Sequence, residues 1–508
     1  MSTPVTNGQL LSQYYQSLLK NPVSLVPYNP KALQELSVVC NNPTITPQGL
    51  FSAIGLAGPQ SSQGWGTVSP GPFSFPQEHG PHWNIRNEWY YLACNLTYGE
   101  GLSMFVLLSI IRRGTVPNNN NYTPQQLQVV GCEATLEMPG SVNPYLSVSA
   151  AFDGMDTNSN LQFQAPSDTQ SFQWSAMGNS QLFGLASVTA GSMFPMNCGI
   201  SFMNNNVPVT VQLTLQAPTN PQFFLQGEQG CAPCIDGLGY RYYSWPALTV
   251  SGTVSIGTIN LTCAGQGWLD HQWGSRMQPL GYVDNLYLRA VSILTGSYPK
   301  TIVPQWDWFF VHLSNGMHIT TAVLPSKGFQ GSEPVPLTNT TIVSVDANNN
   351  LSYETFQSGT VTYSNWVTVN CNLYASTWVL KWGDDVQLVL NVTQPPPSGF
   401  SQGVDGQTFM EKGVNVAGTV KGTVVTGTGF AEAIGYDSME RQVINMLSPL
   451  LQTYEIADKY SWFLPANATP GQIALASLIV IVPPVVLLII IVTVLAVVLT
   501  KKAKKKKL

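Results

Sequence analysis

Charged side chains are scarce in this sequence. Asp, Glu, Lys and Arg make up 9% of its 508 residues, whereas ordinary soluble domains carry about 25%. Six of the 21 basic residues are lysines among the last eight positions, so the rest of the chain sets fifteen basic groups against 26 acidic ones. A body that acidic offers no electrostatic footprint for a phosphate backbone, which excludes nucleic-acid binding. A secretory signal is missing as well: Met1 to Pro22 has no basic start followed by an apolar stretch. Eight cysteines in so long a chain are not a small-domain disulfide framework. Cys231-Ala-Pro-Cys234 is one isolated pair, without the second pair or the histidines that zinc coordination requires. No metal ligand and no cofactor is assigned.

One long apolar run is present. From Ile473 to Thr500 no residue is charged, and roughly 20 apolar residues suffice to cross a bilayer as a helix. Pro483 and Pro484 near its middle are tolerated in such helices when neighbours re-satisfy the freed carbonyls. The reading is a single-pass membrane protein with a C-terminal anchor, its partner the lipid bilayer, and residues 501–508 as a basic tail against anionic headgroups. The tail favours a cytoplasmic C-terminus and the missing signal favours tail anchoring with a cytosolic body, so the side of the body stays open. A virion membrane fits the low charge equally well.

Residues 1–70 read as a leader, with a short amphipathic helix at Gln9 to Lys20. From Glu88 the pattern is β. Trp89, Tyr91 and Ala93 alternate with Tyr90, Leu92 and Cys94. Tyr98-Gly99-Glu100-Gly101 then turns the chain, and Leu102 to Arg112 returns as a strand. Many short strands and no long helical period up to Tyr436 predict an all-β body. It is too long for one small barrel, and two are expected, 71–255 and 256–436, followed by a stalk at 437–470. Arg112-Arg113 is read as a solvated turn.

Only five histidines occur, and they cluster with tryptophan. His79 and His82 precede Asn87-Glu88-Trp89-Tyr90-Tyr91. His271 lies in Gly267-Trp268-Leu269-Asp270-His271-Gln272-Trp273-Gly274. His312 and His318 flank a turn after Trp306-Asp307-Trp308-Phe309-Phe310 and are expected at the surface or an edge. Together with Phe409-Met410-Glu411-Lys412-Gly413 and Gly427 to Tyr436, these segments resemble, in order, the AttH-like, carotenoid 1,2-hydratase-like superfamily. Met410 stands where that family usually has Trp. The resemblance covers about Pro72 to Tyr436.

The resemblance implies two lipocalin-like barrels with an apolar pocket where they meet, and members that hydrate isoprenoid double bonds or guide polyene cyclisation without a cofactor. Hydrating an alkene needs a carboxylic acid that stays protonated near neutral pH, as burial among aromatic rings allows. Asp307, between Trp306 and Trp308, and Asp270, beside His271, are the candidate acids. His271 would position or deprotonate water, and Trp273 would face the cation. Glu88, Trp89, Tyr91, His82, Trp306 and Trp308 are the remaining candidate pocket residues. A structural role stands beside each: alternation points Asp307 either inward or to solvent, and buried Asp–His pairs also serve simply to satisfy polar groups. Glu411 and Glu432 are expected to hold barrel ends together. Three functions follow: a membrane-anchored binder of an apolar small molecule such as a lipid, isoprenoid or pigment; a cofactor-free hydratase or isomerase of such a molecule; or a structural surface protein of a virion.

Overall fold

The structure is a computed structural model that describes residues 5–21, 30–57, 62–117, 119–141, 144–218, 223–227, 229–233, 239–275, 306–323, 334–345, 351–356, 358–369, 372–394, 400–404, 408–434 and 436. The expected stalk, anchor and basic tail, 437–508, lie outside the described residues. Among those described, no helix is long and apolar enough to cross a membrane.

Two antiparallel sheets make up the body, as the alternating sequence predicts. The first has a path of eleven strands: Tyr145–Asp153, Gln128–Glu137, Leu102–Gly114, Asn87–Tyr98, Ile259–Gly274, Gly239–Ile256, Val207–Gln216, Met196–Asn204, Gln181–Ser187, Gln173–Gly178 and Ser159–Gln164. Its two edge strands approach each other, so the sheet is a nearly closed barrel. The second closes through eight strands, because Val335–Val345 pairs with both Gly359–Val369 and Met317–Val323.

The strand Ile259–Gly274 was expected to open the second barrel. It pairs instead with Asn87–Tyr98 and Gly239–Ile256 in the first, and the chain enters the second sheet only at Trp306. The expected division at 255/256 fell inside a hairpin: Gly257 has φ 59° and turns Ile256 back against Ile259.

Each barrel has its own apolar filling. Leu92, Leu108, Trp174, Phe183, Trp245 and Leu269 belong to the first, and Phe309, Val361, Trp378, Leu388 and Val414 to the second. A third cluster forms the seam between them, with Ala93, Phe105, Leu107, Trp268, Phe310 and Phe430. Glycine permits the close strand approach here. A Cβ on Gly427 would stand 2.0 Å from the His312 carbonyl oxygen, and one on Gly429 2.2 Å from that of Phe310.

Among its described residues the leader has three α-helices, α1 (Asn7–Lys20), α2 (Pro30–Cys40) and α3 (Pro47–Leu56). Thr6 caps α1 in a reciprocal box with Gln9, and Thr46 caps α3 ahead of Pro47, satisfying amides that a helix start leaves unpaired. The helices are no appendage. Their core includes Val129 from the first barrel and Val404, Phe409 and Ile434 from the second sheet's elements. Phe51 docks with the Arg113 guanidinium 3.7 Å from its ring centre.

Candidate functional site

The tight turn after Tyr98 fixes a hairpin register in which Glu88 lies opposite Arg112. Even-numbered residues of Asn87–Tyr98 face the first barrel's interior, so Glu88 and Tyr90 enter it. From the neighbouring strand His271 and Trp273 do the same, with Tyr90 opposite His271. Arg112 is therefore not in a solvated turn. It is wholly buried, and its Nε and Nη2 donate to Glu88 Oε2 at 3.1 and 2.5 Å.

Around Glu88 the polar groups form a continuous relay. His82 Nε2 meets Glu78 Oε2 at 2.9 Å, and His82 Nδ1 meets Glu88 Oε1 at 2.6 Å. The same Glu88 oxygen lies 2.9 Å from His271 Nε2. His271 Nδ1 and His79 Nδ1 are 2.9 and 2.8 Å from the Tyr243 hydroxyl. Rings fix the orientations: Tyr90 stacks on His271 and Trp273 on His82, each pair with centroids 4.0 Å apart.

These contacts set the charges. Burial pushes the Glu88 carboxyl up, but His82 and Arg112 together outweigh it and hold Glu88 well below the usual carboxylate range. Burial pushes His82 down, yet Glu88 and Glu78 prevail and raise it to about 9. His271 goes the other way: burial lowers it to about 4 against the pull of Glu88. Burial, with His271 nearby, lowers His79 to about 3. At neutral pH the relay thus holds an imidazolium clamped between two carboxylates and, beyond Glu88, neutral imidazoles joined by a tyrosine. Glu78 and His82 are partly exposed, with 22% and 19% of their side chains reaching solvent, whereas Glu88, Arg112 and His271 are sealed.

His82, Glu88 and His271 each place one ligating atom within 4.8 Å of the others, a gathering that sequence spacing did not anticipate. The donor chemistry disfavours an ion. Both Glu88 oxygens already accept hydrogen bonds, Arg112 supplies a permanent positive charge beside them, and His82 keeps its protons at neutral pH.

The other predicted residues lie elsewhere. Asp270 precedes His271 on the same strand and faces the opposite way. It accepts from Trp268 Nε1 at 2.8 Å, from Tyr242 at 2.9 Å and from the Ser244 hydroxyl. Tyr91 and Trp308 pack in the barrel seam, and Trp89 lies against Tyr240 on the outer face. Asp307 enters the second barrel, where Tyr363 and Tyr436 donate to its Oδ2 at 2.5 and 3.0 Å. Its Oδ1 is buried without a hydrogen-bond partner. Burial pushes both Asp270 and Asp307 up to about 7. The structure therefore does not join Asp307, Asp270 and His271 in one pocket. They fall in three compartments.

Glu411 and Glu432 face each other across paired strands at the seam. Glu411 accepts from Tyr91 at 2.8 Å, and Glu432 from the Trp306 indole at 2.7 Å. Burial raises both, Glu432 to about 7. His312 and His318, expected at the surface, are buried with their Nδ1 atoms 2.7 Å apart, because Phe310 and Val343 beside them pack into the seam. Sequence reasoning assigned no site role to Glu78, His79, Tyr90, Arg112 or Tyr243. Arg112 was within reach, since a turn pairing Tyr98 with Leu102 sets Glu88 opposite it ten residues on.

Two antiparallel barrels sharing a buried seam, one carrying a buried acid–base relay at its end, define the class. The chain matches the AttH-like family over residues 67–436 and belongs to that family. A crystal structure assigned to AttH from Nitrosomonas europaea has the same fold, with a TM-score of 0.52 at 17% identity, over 73% of this chain and 99% of that one. Kievitone hydratase from Nectria haematococca gives 0.43 at 15% identity, over 74% and 98%. CghA with Sch210972 gives 0.41 at 12%, over 74% and 97%. No curated protein sequence matches the chain.

Proposed function

We propose that this AttH-like protein binds an apolar small molecule of the lipid, isoprenoid or polyene kind at the aromatic end of the first barrel, while residues 473–500 hold the body at a bilayer. The observation that carries the reading is where the relay opens. Glu78 and His82 are its partly exposed members, and half-buried rings adjoin the relay: Phe73 lies 5.7 Å from Trp273, which stacks on His82, and Phe75 lies 4.5 Å from His79. Phe73 and Phe75 stack with centroids 5.5 Å apart, and Phe75 lies 4.4 Å from Phe223. Apolar walls with a few convergent polar groups and shifted titrations are the ordinary form of a small-molecule site. Both nitrogens of the His82 imidazolium are taken by carboxylates, so the group that meets a polar atom on an otherwise apolar ligand is the partly exposed Glu78 carboxylate, which accepts a hydrogen bond from a hydroxyl.

The test is mass spectrometry of an organic extract of the purified full chain, with Phe75→Asp alongside. A near-stoichiometric apolar molecule in the wild type and its loss in the variant is the expected result. An empty extract from the native membrane source removes the reading.

A cofactor-free hydratase or isomerase is the second reading, favoured by Asp307. Its carboxyl is protonated up to about pH 7, donors hold one oxygen, and the other is unpaired in an aromatic interior. Asp307→Asn removes that proton source without changing the shape. Turnover of an extracted ligand that persists in the variant would exclude Asp307 as the acid.

A further inference from the structure

Nine large apolar side chains are exposed among the described residues, and four of them gather at one end of the first barrel. Leu102 follows the Tyr98–Leu102 turn, Met203 and Val207 flank the turn at Asn205-Asn206, and Ile259 follows Gly257. Topology puts these turns together. Six consecutive strands of the sheet are three hairpins, and Tyr98 pairs with Cys263 while Ile256 pairs with Val209, so all three turn at the same edge. The rim is about 25 Å across at the usual strand spacing.

Nothing among the described residues covers it. A Cβ on Gly99 or Gly101 would meet no atom within 4 Å, and Leu102 and Ile259 are 53% and 59% exposed. Glu100 is the one charged residue in the three turns; the others are Gly, Asn, Thr and apolar residues. Clustered exposed apolar side chains in soluble proteins mark a protein or membrane contact. Without a basic residue, the rim has no attraction for anionic headgroups and suits a neutral bilayer.

We propose that this rim docks in the interfacial layer of a bilayer, with Leu102, Met203, Val207 and Ile259 entering among the acyl chains. The proposal rests on the reading of residues 473–500 as an anchor in that same bilayer. The tether is long enough. The last described residue, Tyr436, follows a strand that ends among the helices, whose core takes in Val129 at the far end of the first barrel from the rim. A 12-residue strand such as Asn87–Tyr98 spans about 40 Å, while the 36 residues from 437 to 472 can reach roughly 120 Å when extended. The body can therefore lie rim-down beside its own anchor.

The experiment uses the full chain in phosphatidylcholine vesicles, with or without brominated acyl chains, and variants Leu102→Trp, Ile259→Trp and Val424→Trp. Val424 sits on a second-barrel hairpin, is 78% exposed and serves as the control. After subtraction of wild-type emission, the tryptophans at 102 and 259 are expected to shift to shorter wavelength and lose intensity to bromine, and the one at 424 to do neither. If the chain floats with vesicles and the 102 and 259 signals match the 424 signal, the rim proposal is overturned and the anchor stands. A shift to shorter wavelength without bromine quenching assigns the rim to contact with a second copy of the chain and also overturns the proposal. A chain that does not float with vesicles overturns rim and anchor together. The substituted side chains are all exposed, and near-ultraviolet circular dichroism confirms an unchanged fold.

Discussion

Replacing Glu88 with Gln tests the relay at its centre. The amide keeps the carboxylate's shape but loses the charge that sits between Arg112, His82 and His271. One amide oxygen cannot replace two carboxylate oxygens that together receive both Arg112 bonds, the His82 amide at 2.8 Å and two imidazoles. Whichever way the amide turns, its NH2 meets a donor. The Arg112 guanidinium stays buried with only neutral acceptors, Gln128 Oε1 and the His82 and Ile85 carbonyls. Removing one partner of a buried pair typically costs about 3–5 kcal/mol, mostly from the charge left behind. Glu88→Gln should therefore lose about 3–5 kcal/mol in urea unfolding of the full chain. Adding Arg112→Met should recover part of that loss, because the orphaned cation goes too. Proton NMR gives an independent reading. With five histidines the spectrum is simple, and the resonance titrating near 9 should fall markedly in the variant. A loss under about 1 kcal/mol with an unmoved His82 titration would refute the claim that Glu88 sets these charges.

Other expectations follow from the same contacts. Asp307 is raised from 3.8 to about 7, so its neutral form favours folding. That contribution is complete below pH 4 and is lost as pH climbs through 7. Asp307→Asn cannot titrate, so its stability relative to wild type should improve by about 4 kcal/mol between pH 4 and pH 8; a pH-independent difference would contradict the assignment. His271 is lowered to about 4, so its contribution is present above pH 6.5 and is lost on acidification toward 4. Its ring signal should accordingly titrate well below a free imidazole. Phe51→Ala should cost about 3–5 kcal/mol and expose α1–α3 to proteolysis, since that ring seats α3 against Gly131 and Arg113. Gly427→Ala should prevent the second barrel from closing, because backbone 2.0 Å away has no room to move; a normally folded variant would show that the strands can separate there.

Much of the fold was legible in the sequence because its signals are local. Alternation gives strands, Gly-containing turns give hairpins, and the apolar spacing from Gln9 to Lys20 gives the helix found at Asn7–Lys20. Hidden were features that depend on which strands become neighbours. Assigning Ile259–Gly274 to the second barrel overlooked that its hairpin with Gly239–Ile256 must remain in one sheet. His312 and His318 looked superficial beside a turn, yet the seam beside them includes Trp268, whose ring meets His312 and which lies 44 positions earlier in the sequence. Arg112 looked solvated because arginine usually is; only its opposition to Glu88 makes burial tolerable.

The candidate site shows most clearly how a strand divides its residues. Reading Asp270 and His271 as a catalytic pair treats sequence neighbours as spatial partners, but successive side chains on a strand point to opposite faces. The sheet wall that carries them has the relay on one side and the seam on the other. Leu269, His271 and Trp273 therefore join the first barrel's interior, while Trp268 and Asp270 join the seam. The same division holds at Glu88 and Trp89 and at Trp306, Asp307 and Trp308. The motifs that mark the family are thus composite, and each short segment supplies two compartments at once. For that reason, a change at Asp270 that disturbs the seam and a change at His271 that disturbs the relay should have separable effects, despite being adjacent in the chain. Asp270→Asn should leave the His271 signal titrating near 4 and weaken the packing between barrels through the lost Trp268 contact, whereas His271→Gln should remove that signal, break the link to Tyr243 and leave the seam intact. If Asp270→Asn moved the His271 titration, the wall would not divide the two compartments as the contacts require.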